Sequence, residues 1–329
     1  MIGVIGSGTW ATAIVKILLE QEGRKVNWWV RNDEVRKGLE AEGRNPKYLP
    51  SVQLDSSRLN LSGNLAQIVA ESGYLFLVIP SAYVASTLDQ LPPIAYTGKK
   101  FISAIKGVIP DKHVSVSVYL ENMLKVKRDD ICVISGPTHA EEVGHNRLTY
   151  MTIASSNVAK ARIVGEKLAT PFLKVSYARN MRYLESSSVL KNIYAVIVGM
   201  AAGMGYGDNF ISSLVSNCIK EMYLLLDPQS TNDITKFTPS SFFGDLLVSC
   251  YSSHSRNRQL GILIGRGNTV KTALNEMTMV AEGYFASAMM PYLTDAQRAQ
   301  LPIAETAYQV LHQGMPARKA MKIIEDVLL

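Results

Sequence analysis

The chain has 329 residues, enough for two domains of ordinary size. Hydrophobic residues make up 47% and charged residues 19%, which excludes an intrinsically disordered chain. Lys and Arg outnumber Asp and Glu by 34 to 28; the resulting +6 favours anionic small molecules and falls short of a nucleic-acid footprint.

The three cysteines, Cys132, Cys218 and Cys250, lie far apart, and the five histidines are scattered. Neither a disulfide framework nor a metal site follows from that spacing, so a reducing cytoplasm is the expected compartment. Met1-Ile2-Gly3-Val4-Ile5-Gly6 has neither the basic stretch nor the cleavage site of a signal peptide. The longest apolar stretch, Tyr194 to Met204, is too short and too glycine-containing to span a bilayer, so no membrane insertion is expected.

Up to about residue 180, short apolar runs alternate with amphipathic segments. Ile2–Ile5 reads as a strand, 9–20 as a helix and 26–30 as a second strand. Further strand-like runs occupy 74–79, 101–105, 131–135, 151–154 and 173–176, with helical stretches at 64–71, 83–91 and 158–168. Continuous apolar strands alternating with helices predict a mostly parallel sheet covered on both faces. From Met181 onwards helical periodicity dominates, at 183–199, 209–226, 240–250, 255–264, 280–290 and 303–311, with Pro316 opening a last helix over 317–328. The expected domains are therefore an α/β sheet domain over 1–180 and an all-α domain over 181–329. Residues 227–239, rich in Pro, Ser, Thr, Asn and Asp, read as an exposed loop.

Gly6-Ser7-Gly8-Thr9-Trp10-Ala11 is a GxGxxA fingerprint placed after the first strand and opening a helix. Gly6 permits a tight turn, Gly8 lets the backbone approach a pyrophosphate, and Ala11 allows close helix–strand packing. The helix start then offers free N–H groups and the positive dipole end to phosphates. Thr9 and Trp10 either line the cofactor or pack inward. The second strand ends in Arg31, which suits a 2′-phosphate, while Asp33 close by suits a ribose hydroxyl. The expected cofactor is NADP or NAD, with the arginine tilting the choice towards NADP.

Lys106-Gly107 follows the strand at 101–105, and Ser135-Gly136-Pro137-Thr138 follows the strand at 131–135, both at strand ends where open α/β sheets take ligands. Lys191-Asn192 interrupts an apolar helix. Spacing alone favours a solvated edge for that lysine; the alternative is a half-buried ammonium with a lowered pKa, usable in acid–base chemistry. Gly244-Asp245-Leu246 sets a carboxylate among apolar residues, and Ser255-Arg256-Asn257-Arg258 opens a helix in a manner that suits an anion.

Taken in order, these motifs resemble the bacterial NAD(P)-dependent glycerol-3-phosphate dehydrogenases, over nearly the whole chain. The resemblance also rests on Arg44-Asn45-Pro46-Lys47-Tyr48-Leu49-Pro50, Val78-Ile79-Pro80-Ser81, His139-Ala140-Glu141-Glu142-Val143, Gly205-Tyr206-Gly207-Asp208-Asn209, Phe243-Gly244-Asp245-Leu246 and Glu282-Gly283. It implies a Rossmann-like dinucleotide-binding domain followed by an all-α substrate-binding domain. It also implies reduction of dihydroxyacetone phosphate to sn-glycerol 3-phosphate, which supplies phospholipid synthesis. By that likeness Lys191 is the proton donor and acceptor, with Lys106 and Asp245 beside it as catalytic residues. Lys106, Gly136, Thr138, Lys191, Asn192, Asp245, Ser255, Arg256 and Asn257 match substrate positions. Gly6, Ser7, Gly8, Thr9, Trp10, Arg31, Pro80, Lys106, Ala140, Arg256, Val280 and Glu282 match cofactor positions. The chain departs from the family pattern at Ser187-Ser188-Val189, at Asn217-Cys218 and over 238–243. A related dehydrogenase of another hydroxy acid and a catalytically silent dinucleotide sensor are the alternatives. Partners are expected to be a small phosphorylated substrate and a second copy in a homodimer, with no nucleic acid.

Overall fold

The computed structural model describes residues 1–226, 240–277 and 279–328, so the loop read at 227–239 lies outside the described residues. The chain forms two compact units: Met1–Ile105 with Val114–Leu184, and Lys106–His113 with Glu185–Leu329. Lys106, early in the sequence, thus belongs to the second unit.

The first unit is built on an eight-stranded sheet. Its strands are β1 (Ile2–Ile5), β2 (Val26–Trp29), β3 (Leu59–Ser62), β4 (Tyr74–Leu77), β5 (Lys100–Ser103), β8 (Ile131–Ser135), β9 (Thr149–Ala154) and β10 (Leu173–Ala178). The two-residue strands β6 (Val108–Ile109) and β7 (Val114–Ser115) lie outside that sheet. The spatial order is β10-β9-β8-β5-β4-β1-β2-β3, and every pairing is parallel except β8 with β9. Strands β1, β2 and β8 are buried at every position, which is why they are mostly apolar, with Asn27 and Ser135 as buried polar exceptions. Strand β3 escapes that pattern because Leu59-Asn60-Leu61-Ser62 sits at the sheet edge, partly exposed. The order reverses between β1 and β4, and ligands of open α/β sheets bind beyond the carboxyl ends of strands at such a reversal.

Beyond β1 the chain turns at Gly6 into the helix Thr9–Leu19. Gly6 has φ +124°, and a Cβ there would collide with the Val78 carbonyl oxygen, so only glycine fits. Fully buried Trp28 of β2 donates its indole N–H to the Gly6 carbonyl at 2.6 Å. Asn45, also fully buried, donates to the Ser7 carbonyl at 3.0 Å and to Thr12 Oγ1 at 2.9 Å. The turn is therefore held from two sides by side chains remote in sequence. Ala11 and the apolar residues Ile14, Val15, Ile17 and Leu18 have no exposed surface and seat the helix on the sheet.

The second unit is helical and centres on Met181–Gly203. Residues Ile193 to Val198 are each at most 1% exposed, so this helix is covered on all sides. It meets the helix Arg256–Gly265 along a glycine seam. Cβ atoms on Gly199 and Gly203 would strike the backbone of Arg258 and Ile262; Cβ atoms on Gly261 and Gly265 would strike that of Val196 and Met200. The two main chains touch with no side chain between them. Glu221, on the helix Asp208–Leu226, ties two other elements to its own. It accepts from the Ile303 and Ala304 N–H groups at 2.6 and 3.2 Å and from the Tyr194 hydroxyl at 3.0 Å. A carboxylate thus caps the helix Pro302–Gln313, whose own N-cap Leu301 has no side-chain acceptor. Burial pushes the Glu221 carboxyl up to about 7 against those hydrogen bonds.

Some helices differ from the expected ones. The segment read as one helix over 240–250 is a wide π-type turn, Ser240–Gly244, leading into the α-helix Asp245–Tyr251. The helix read over 280–290 is shorter, Glu282–Ser287. No helix among the described residues is long and apolar enough to cross a membrane.

Candidate active site

In the first unit, Gly6, Arg31 and Pro80 follow β1, β2 and β4, three neighbouring parallel strands, so their carboxyl ends bring these residues to one edge of the sheet. A Cβ on Gly8 would meet nothing within 4 Å, and Gly8 leaves the helix Thr9–Leu19 without a side-chain cap. The indole N–H of Trp10 is buried with no hydrogen-bond partner. An open approach at Gly8, an uncapped helix start and an orphaned donor fit the phosphates of a dinucleotide. Arg31 is exposed, whereas Asp33 pairs with Arg36 at 2.7 Å and opens the helix Asp33–Glu42.

Gly136 follows β8 with φ +138°, and a Cβ there would lie 2.7 Å from the Tyr150 carbonyl oxygen. Thr138 Oγ1 donates to the Gly136 carbonyl at 3.2 Å, closing the turn. Ala140 is buried at the start of the short helix Ala140–Gly144.

The second unit gathers the charged residues. Asp245 Oδ1 accepts from Lys191 Nζ at 2.5 Å and from Lys106 Nζ at 3.1 Å. Lys191 is 5% exposed and Asp245 1%. The solvated edge that spacing favours for Lys191 is therefore wrong. Helical spacing cannot show that a carboxylate and a hydroxyl from a distant segment close over this lysine. That hydroxyl belongs to Ser249, which accepts from Lys191 Nζ at 3.0 Å and donates to the Asp245 carbonyl at 2.7 Å.

A second chain of bonds runs beside the first. The Lys106 carbonyl accepts from Asn192 Nδ2 at 2.6 Å; Asn192 Oδ1 accepts from Asn257 Nδ2 at 2.8 Å; Asn257 Oδ1 accepts from the Gly283 N–H at 2.8 Å. Both buried amides are thereby oriented. Ser255 caps the helix Arg256–Gly265 by accepting from the Arg258 N–H at 3.3 Å, and Arg256 is its first residue. Val280 lies just before the helix Glu282–Ser287, which Glu282 opens.

Two lysines share one carboxylate oxygen, and with both protonated the cluster carries one positive charge in excess. Burial foremost draws Lys191 down to about 7; the Asp245 charge works against this and the Lys106 charge with it. Burial presses Asp245 upward, but the charges of Lys106 and Lys191 outweigh it and hold the carboxyl below its ordinary value. The arrangement offers a proton near neutral pH from a group that also attracts a developing oxyanion.

The residues read from the sequence thus fall into two groups. Gly6, Ser7, Gly8, Thr9, Trp10, Arg31, Pro80, Gly136, Thr138 and Ala140 belong to the first unit. Lys106, Lys191, Asn192, Asp245, Ser255, Arg256, Asn257, Val280 and Glu282 belong to the second. Sequence reading quoted Asn45 and Gly283 within motifs but gave them no role, and it missed Ser249 altogether. Ser249 had a usable signal, since it follows Asp245 by one helical turn within an apolar segment. Of the departures, Ser187, Ser188 and Cys218 are buried in their helices and Asn217 donates to the Ser213 carbonyl at 3.0 Å; residues 238 and 239 lie outside the described residues.

Comparison with known proteins agrees over both units. Residues 1–161 match the family model for the NAD-dependent glycerol-3-phosphate dehydrogenase N-terminus, and residues 181–322 match that for its C-terminus. The glycerol-3-phosphate dehydrogenase (NAD(P)+) of Moorella thermoacetica is 34% identical over 316 residues, covering 96% of this chain and 92% of that one. The enzyme of the same name from Bacillus velezensis is 31% identical, covering 98% and 92%. In fold, the chain is similar to the crystal structure of glycerol-3-phosphate dehydrogenase from Coxiella burnetii. The TM-score is 0.89 at 24% identity, over 99% of this chain and 98% of the other.

Proposed function

Because the chain belongs to the NAD-dependent glycerol-3-phosphate dehydrogenase family, we propose that it reduces dihydroxyacetone phosphate to sn-glycerol 3-phosphate with NADPH or NADH. The observation that carries this reading is Lys191, a buried ammonium poised near 7 against Asp245 and Lys106. On this reading the first unit holds most of the dinucleotide and the second, which includes Lys106, most of the substrate.

When bound, the reduced nicotinamide supplies the hydride. Lys191, protonated, stabilises the charge that grows on the substrate oxygen and then gives up its proton to it. Asp245 orients both lysines and takes a substrate hydroxyl. Asn257, Arg256 and the start of the helix Arg256–Gly265 hold the phosphate, so that remote binding energy positions the carbonyl. The Gly6-Ser7-Gly8 turn and the helix start at Thr9 and Trp10 take the pyrophosphate, with Pro80 and Ala140 at neighbouring strand ends. Exposed Arg31, with Asp33 already engaged by Arg36, supports a preference for the 2′-phosphate of NADPH. Arg256, Val280 and Glu282 complete the cofactor contacts, and Gly136 and Thr138 those of the substrate. The protein acts as a cytoplasmic homodimer feeding phospholipid synthesis; the three free thiols support a reducing compartment.

Loss of reduced-nicotinamide absorbance with dihydroxyacetone phosphate tests the reading, with NADPH and NADH in parallel and Lys191→Ala as control. Turnover that disappears in the variant is expected, faster with NADPH. Cofactor binding without any turnover would overturn it.

A further inference from the structure

The second unit contains a concavity of about 690 Å³ that the proposed reaction does not use. Gly203, Gly205, Tyr206, Arg266, Arg318 and Lys322 line it. Gly203 lies roughly 18 Å of helical rise beyond Lys191 on the same helix, so this is a separate place on the unit. Its volume falls within the range of roughly 300–1,000 Å³ usual for small-molecule sites.

The charge here lacks an internal explanation. Arg266, Arg318 and Lys322 are exposed, and none of them forms an ion pair among the described residues. No carboxylate belongs to the lining; Glu325, close by, is engaged by the Tyr206 hydroxyl at 2.5 Å. Arg266 alone has a structural reason, since it caps the negative end of the helix Arg256–Gly265. Arg318 has the opposite problem. It lies in the first turn of the helix Ala317–Val327, which holds no acidic residue and whose N-cap, Pro316, gives no side-chain bond; Lys322 follows one turn later. Arg318 therefore opposes the helix dipole, and Arg318 and Lys322, four apart with like charge, repel each other. An anion in the concavity reverses the sign of each of these interactions. One phosphate would leave most of the volume empty. The Tyr206 ring, packed on Phe210 with centroids 4.4 Å apart, offers a fixed aromatic surface beside the cations.

We propose that this concavity binds an organic polyphosphate, its phosphate chain held by Arg266, Arg318 and Lys322. The test is calorimetric titration of the full-length protein with ATP and, separately, with inorganic tripolyphosphate. Both probes are expected to bind. Arg318→Gln/Lys322→Gln should weaken both by about tenfold or more, leaving the affinity for NADPH unchanged; Arg31→Ala should leave the probes unchanged. Raised salt should weaken both probes. Arg266→Ala, at an exposed helix end, provides the same comparison should the double variant fold poorly. The proposal is overturned if neither probe binds, if the variants bind as tightly as the parent, or if ATP binds where tripolyphosphate does not. Because the readout is binding, a protein inactive towards dihydroxyacetone phosphate leaves this test intact.

Discussion

The turn after β1 and the cluster around Asp245 both hold polar groups in fixed places, by opposite means. The turn is made of backbone: Gly6 and Gly8 contribute by lacking a side chain, and neighbours such as Trp28 and Asn45 bond to main-chain carbonyls. The cluster is made of charge, with two ammonium groups on one buried carboxylate oxygen. A backbone site is specified by conformation and is insensitive to pH. A charged site is specified by mutual neutralisation, and its protonation state is its working property. The first is damaged by adding an atom, the second by removing a charge.

The largest effect expected is in the charged site. Lys191→Ala should lower kcat for carbonyl reduction by about 10²–10⁴-fold, with cofactor affinity by fluorescence titration unaltered. Asp245→Asn comes next. It leaves two cations without their shared partner, at a cost of about 3–5 kcal/mol to stability in chemical denaturation, and it withdraws the charge that favours protonated Lys191. The parent enzyme gives the reference for that shift. Reduction needs the ammonium, so its rate should fall as pH rises through about 7, while oxidation of glycerol 3-phosphate should rise over the same range. In Asp245→Asn both limbs should move to lower pH. Limbs that stay in place would show that Asp245 does not set the lysine's protonation.

The backbone site should respond differently. Gly6→Ala forces a side chain to φ +124° against the Val78 carbonyl, which should cost about 1–3 kcal/mol. Cofactor affinity should drop with no movement of either pH limb; a moved limb would mean that the two sites are not separable in this way. The smallest effect concerns Glu221, a buried carboxyl outside both sites. Its folded value of about 7 lies above its ordinary 4.5. Its stabilising share is thus full below about pH 4.5 and is lost as pH rises through about 7, a change on the order of 3 kcal/mol. In Glu221→Gln the melting temperature should lose that part of its pH dependence. An unchanged slope would place the titration elsewhere.

The same contrast governs what could be read from the chain itself. The Gly6–Ala11 turn is local: strand, glycines and helix follow within a few residues, so spacing and physical chemistry reach it directly. The parallel sheet is legible for the same reason, since its inner strands are short, mostly apolar runs. The edge strand β3 and the polar helix Asp33–Glu42, with only Val35 and Leu39 buried, carry too little apolar pattern to stand out. The charged site depends on contacts between residues far apart in sequence. Lys191 meets Asp245 and Ser249 from another helix, and Lys106 arrives from a segment earlier still. No periodicity encodes such a meeting; those residues stood out through a family resemblance, and Ser249, which the resemblance did not bring forward, was overlooked.

The glycine seam between Met181–Gly203 and Arg256–Gly265 has a mechanical side. Side-chain interfaces can absorb small errors by changing rotamers; a main-chain interface has none to change. The seam therefore behaves as a gauge block. Lys191 and Asn257 lie towards one end and the basic concavity at the other, at a separation fixed by rise per residue alone. A single inserted residue would turn everything beyond it by about 100° and advance it by ~1.5 Å. Gly199, Gly203, Gly261 and Gly265 hold the two main chains at contact distance, and a side chain at any of them would push the helices apart while leaving the rise from Lys191 to Gly203 as it is.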